Sequence, residues 1–149
     1  MDVLAAFDPG KSGGVAWRDS KGLYQALPLP KIPRELVELI KKINPTDSVI
    51  EAVGGYAGDE EKSNGAKMFQ FGYAAGAPYW TLLTLGLRVR FVTPQKWQKA
   101  LSLGHRKTYG EQWKNHLKTR ASDLFPSTIV SLKTADALLM LEAMCQKKI

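Results

Sequence analysis

Short apolar runs broken by glycine and proline fill the first third of the chain, and longer stretches with helical spacing follow. Val3 to Phe7 is apolar and stops at Asp8-Pro9-Gly10, the pattern of a buried strand ending in a turn. Gly13 to Trp17 predicts a second strand, paired to the first through the glycine-rich turn, and Gly22 to Leu27 a third that closes a meander. Pro28, Pro30 and Pro33 mark a loop, and Pro33 suits the first turn of a helix. Leu36, Val37, Leu39, Ile40 and Ile43 keep helical spacing until Asn44-Pro45 stops them. Ser48 to Val53 predicts a strand with Glu51 near its end. Residues 54 to 65 predict a loop, and Asn64 to Leu85 a long, widely apolar helix weakened by Pro78. Arg88 to Val92 predicts a fifth strand. Pro94 to Leu101, Lys107 to Phe125 and Thr134 to Met144 predict helices. A meander leading into strand–helix units gives an α/β fold, a mixed five-stranded sheet flanked by helices.

Composition narrows the class. The 149 residues predict one domain spanning 1–149, and 44% apolar content is enough for a real core. A net charge of +7 points to a polyanionic partner, nucleic acid first and an anionic membrane surface second, with ordinary solubility charge an equal alternative from composition alone. Cys145 stands alone, so it forms neither an internal disulfide nor a metal cluster, and a reducing, cytoplasmic setting is expected. The apolar start is too short for a signal peptide. Ala74 to Leu87, the longest weakly polar stretch, is too short to span a membrane and contains Pro78.

Three carboxylates stand where a structural role explains them poorly. Asp8 ends the first strand, Glu51 lies late in the fourth, and Asp136 sits in Ala-Asp-Ala-Leu-Leu at the start of the last helix. Each alone has an ordinary reading, as an Asx turn, an edge-strand charge and a helix-start acid. If the two strands are neighbours, their ends point at one spot. Three clustered carboxylates repel one another unless a cation joins them. Mg²⁺ or Mn²⁺ suits oxygen-only ligands and activates water at a phosphoryl centre, which points to a nuclease. Gly10-Lys11-Ser12 is not a phosphate-binding loop, because that motif needs glycine at residue 5, which is Ala.

With FDPGKSGGVAW, VIEAV and TADALLM in this order, the chain resembles the RuvC Holliday-junction resolvases of the RNase H-like superfamily, over nearly its whole length from Val3 to Met144. The phage and bacterial small resolvases are the nearest in kind. The resemblance implies a cytoplasmic homodimer, in a bacterial cell or a phage-infected host, that binds a four-way DNA junction. Each protomer would nick one strand by metal-assisted attack of water, leaving a 5′-phosphate and a 3′-hydroxyl. It also implies that Asp8, Glu51 and Asp136 are the ligands for Mg²⁺ or Mn²⁺, with Asp8 bridging two ions roughly 3.5–4 Å apart. The family's fourth metal-site residue, an Asp or His one helical turn before the last Asp, is here Lys133. Three readings of Lys133 stand open: a cation that replaces the second metal ion, a gap filled by another acid such as Asp59 or Glu60, or a weakened nuclease that still binds DNA. Residues 133 and 136 share a helix face, so Lys133 reaches the site if the helix extends that far. Glu142, six residues on, faces away from Asp136.

The expected DNA surface runs from Lys96 to Arg120, where Lys96, Lys99, Arg106, Lys107, Lys114, Lys118 and Arg120 face a single acid, Glu111. A merely solvated helical face is the alternative. His105 and His116 read as surface or phosphate contacts, since neither has a matching metal-ligand partner. Lys11 either touches a phosphate or is a solvated turn lysine. Tyr56, with Lys62 and Lys67 beyond it, is the candidate for stacking at the junction centre. Phe69, Tyr73 and Trp80 read as partly core and partly dimer interface. The rival functions are an RNase H-like nuclease for flap, hybrid or other branched substrates, a silent DNA-binding module, and an actin-like ATPase fragment lacking its second nucleotide-binding half.

Overall fold

The computed structural model describes residues 1–10, 12–52 and 65–149, with residues 67, 68 and 71 described by their backbone only. Five strands form one sheet in the order β3-β2-β1-β4-β5: β1 Leu4–Asp8, β2 Gly14–Arg18, β3 Tyr24–Pro28, β4 Asp47–Glu51 and β5 Arg90–Val92. The first three pair antiparallel, as the meander predicts, and β4 and β5 join parallel to β1. The helices are α1 Pro33–Ile43, α2 Gly65–Thr84, α3 Pro94–Ala100, α4 Arg106–Tyr109, α5 Trp113–Leu124 and α6 Ala135–Cys145.

Strand alternation divides the core in two. Ala6, Ala16, Val49 and Val92 face the side covered by α3, α5 and α6, whereas Ala5, Phe7, Val15, Trp17 and Ile50 pack against Leu36, Ile40 and Leu82 from α1 and α2. Buried nearly throughout, α6 has apolar residues all round, which fits a helix sandwiched between the sheet and a further helical layer. No helix among the described residues is long and apolar enough to cross a membrane.

Local chemistry explains the boundaries. Pro33 opens α1, and Asn44, in the left-handed region, closes it by donating its backbone N–H to the Ile40 carbonyl. Thr93 caps α3, its hydroxyl accepting from the Lys96 N–H ahead of Pro94. The predicted helix over 107–125 is broken instead. Gly110, at φ +54°, ψ −126°, ends α4, and a 3-10 turn over Gly110–Gln112 leads into α5. Lys133 likewise departs from expectation. It is exposed in the turn before α6, which begins only at Ala135, so the condition for sharing a helix face with Asp136 is not met.

Candidate metal and nucleic-acid site

Asp8 ends β1 and Glu51 ends β4, the two central parallel strands. Phe7 pairs with Ile50, so one further step of the register sets the two acids side by side. Both sit two residues beyond inward-facing partners, Ala6 and Val49, and both point to the α6 side of the sheet. Asp136, the second residue of α6, faces them at 4% exposure.

Glycines key α6 to the hairpin. A Cβ on Gly13 would lie 1.9 Å from the Asp8 carbonyl oxygen, and one on Gly14 2.3 Å from the carbonyl oxygen of Lys133. Backbone therefore packs on backbone where the turn before α6 crosses the start of β2, which fixes the distance from Asp136 to the end of β1.

The electrostatics are those of crowded, half-hidden acids. Burial, with the charges of Glu51 and Asp136 added, pushes the Asp8 carboxyl up to about 8. Burial and Asp136 push Glu51 up to about 7, against the opposing pull of the Trp97 indole, whose Nε1–H donates to Glu51 Oε2 at 2.8 Å. Lys114 on α5 donates to Asp136 Oδ2 at 2.5 Å, and its charge also reaches Asp8 and Glu51. Although burial works against the ammonium, the carboxylates outweigh it and raise the Lys114 pKa. Trp97→Phe removes the donor on Glu51 and is expected to raise the Glu51 pKa further; a carboxyl-detected NMR titration of the metal-free protein reads the shift directly, and an unmoved titration would mean that this hydrogen bond is absent in solution.

The residues fit a hard divalent cation. Their donors are oxygens only, and Asp136 Oδ1 is buried with no hydrogen-bond partner among the described residues. Among the described residues no three acid, histidine or cysteine side chains are yet closed into a ready-made ligand set. Glu51 Oε2 is engaged by the Trp97 indole and Asp136 Oδ2 by the Lys114 ammonium instead.

The other expected residues divide into four groups. Lys114 comes to the carboxylates, a position that sequence proximity had suggested for Lys133. Lys96, Lys99, Arg106, Lys107 and Lys118 are exposed on the helices of that same layer, and Lys118 lies one turn beyond Lys114 on the same face of α5. His116 donates its Nε2–H to the Leu103 carbonyl oxygen, 2.8 Å away, and stacks on Tyr109, so it holds α4 and α5 together. Lys11, Tyr56, Asp59, Glu60 and Lys62 lie outside the described residues, as does the side chain of Lys67. Trp97 and Lys114 are the site neighbours that sequence reading missed in these roles. Trp97 carried one usable signal, a tryptophan in the first turn of the helix entered directly from β5, the neighbour of β4.

No protein-family model matches the sequence, and no curated protein does. Solved structures do match in fold. A structure of Thermus thermophilus RuvC aligns with a TM-score of 0.58 at 19% identity, covering 98% of this chain and 97% of that one. The structure of T. thermophilus RuvC in complex with Holliday junction substrate aligns at 0.61 and 16% identity, covering 93% and 90%. The chain thus has the RuvC-type, RNase H-like fold that its strand-end acids and terminal Ala-Asp-Ala-Leu-Leu helix led one to expect.

Proposed function

We propose that this protein is a metal-dependent endonuclease that cuts branched DNA, with the four-way junction as its substrate. The observation that carries the reading is the convergence of Asp8, Glu51 and Asp136 at the strand ends beside the lysine-bearing helix α5. In this reading the three carboxylates hold Mg²⁺ or Mn²⁺, which supplies a polarised phosphoryl oxygen and a more acidic bound water. Trp97 holds one oxygen of Glu51 in place. Lys114 stands on the open side of the site, its side chain 60% exposed, where it meets a phosphate. Lys118 and the lysines of α3 steer the backbone of the nucleic acid past the acids. The likeness to a junction-bound RuvC supports branched DNA as the substrate class.

Paired cutting needs two sites related by a two-fold axis. Phe69, Tyr73 and Trp80 repeat at spacings of four and seven along the outer face of α2 and are largely exposed. With Leu29, Pro30 and Leu36 they line a groove of about 970 Å³. This face is the proposed homodimer contact, and Trp80→Glu is expected to convert a dimer to a monomer in analytical ultracentrifugation; an unchanged sedimentation coefficient would move the interface elsewhere.

Binding tests the substrate class separately from the chemistry. Without metal, the protein should hold a labelled four-way junction against a large excess of linear duplex. Lys118→Ala should reduce the slope of log affinity against log salt by about one unit. Equal affinity for junction and duplex would contradict the proposed substrate, and an unchanged slope would remove α5 from the DNA face.

A further inference from the structure

The acid cluster contains a cation of its own. Asp136 is nearly inaccessible, yet its two carboxylate oxygens differ: Oδ2 receives the Lys114 ammonium, and Oδ1 is buried with no hydrogen-bond partner among the described residues. An unpaired buried acceptor costs on the order of 1–3 kcal/mol, more when it is charged, so a lone Oδ1 points to a ligand that completes it. Lys114 approaches from a different element, with most of its side chain open to solvent. Its compact charge sits on a flexible stem, which lets one ammonium serve both an acid and a phosphate.

We propose that Lys114 is a built-in replacement for a second metal ion, so that the site binds a single divalent ion, with Asp136 giving Oδ2 to the lysine and Oδ1 to the metal. The inference rests on the metal-dependent reading above. Charge balance favours it. One divalent ion and one ammonium neutralise three carboxylates, whereas two divalent ions beside Lys114 leave the same three acids with a surplus of positive charge. The role that sequence proximity suggested for Lys133 falls instead to a lysine 22 positions before Asp136 in the chain. Lys133 is exposed in the turn and makes no ion pair among the described residues.

Counting ions tests this without any cleavage assay. Mn²⁺ is titrated into the whole protein, and the loss of the free-ion electron paramagnetic resonance signal gives the number bound. The wild type is expected to bind one Mn²⁺ per chain, an ion that Asp8→Asn removes. Lys114→Met is expected either to admit a second ion or to tighten the first about tenfold, because a like charge has left the site. Lys114→Gln is expected to match it, and Lys114→Arg to keep one ion at near wild-type affinity. Two wild-type ions, both lost in Asp8→Asn, would overturn the inference and leave the nuclease reading standing. Lys114→Met and Lys114→Gln that bind as the wild type does would overturn it as well. No wild-type binding at all would overturn both.

Discussion

Asp8→Asn is expected to lower strand cleavage by about three orders of magnitude or more while making the metal-free protein more stable at pH 8. The two effects have one cause. In the folded chain burial and the neighbouring acids raise the Asp8 carboxyl from 3.8 to about 8. Between those values the folded protein keeps a proton that the unfolded chain has lost. Stability therefore falls as pH rises from about 4 to about 8, and Glu51 adds to the fall up to about 7. Below the lower limit both states are protonated, and the effect is absent. Asparagine cannot ionise, so the variant lacks the Asp8 part of this decline. At pH 8 without metal it should exceed the wild type by on the order of 3 kcal/mol, or about 10 °C in Tm, and the difference should vanish near pH 4. Added Mg²⁺ should raise the Tm of the wild type and leave that of Asp8→Asn nearly unmoved. Thermal melts across pH, with and without Mg²⁺, check each part. A wild type whose stability rises from pH 5 to pH 8 would show that the acids are not crowded in solution.

Gly14→Ala is expected to cost about a hundredfold in cleavage with little loss of DNA binding. The new Cβ would fall 2.3 Å from the Lys133 carbonyl oxygen and close to the Thr134 backbone, neither of which is a flexible side-chain tip. The turn before α6 must shift, and Asp136 moves with it relative to Asp8. A displacement of about 1 Å at a reacting centre costs on the order of a hundredfold. The exposed lysines of α3 and α5 are untouched, so junction affinity should hold. Comparing single-turnover rates with gel-shift affinities separates the two, and equal losses in both would indicate general misfolding.

The sequence and the structure agree where local pattern decides position. Period-two alternation set Asp8 and Glu51 on one face of adjacent strands, and an unbroken apolar helix around Asp136 marked it as facing the sheet. What local pattern did not carry was the rotation of α5. Lys114 belongs to a segment with several lysines, and nothing beside it in the chain distinguishes it from Lys118 or Lys107. Its place depends on the break at Gly110, which ends the preceding helix, and on Trp113, Leu117 and Ala121, the buried residues that pack α5 into the core with α6. A helix run through residues 107–125, as the spacing predicts, hides that phase. The condition set for Lys133, a helix that already extends to it, is unmet for a related reason. The Ser131 N–H donates to the Thr134 hydroxyl, and the Thr134 and Ala135 N–H groups both donate to the Ser131 carbonyl. These bonds hold residues 131–134 in a turn and delay α6 to Ala135. Side-chain competition of this kind is invisible to apolar periodicity.

Strand cleavage of a synthetic four-way junction, each arm labelled in turn, beside matched duplex, flap and hybrid controls in Mg²⁺ and in Mn²⁺, tests the central claim most directly. The expected result is a pair of symmetric nicks on opposing strands of the junction alone, ending in 5′-phosphate and 3′-hydroxyl and absent from Asp8→Asn. Tight junction binding with no cutting in either metal would contradict it and leave a protein that holds branched DNA without hydrolysing it.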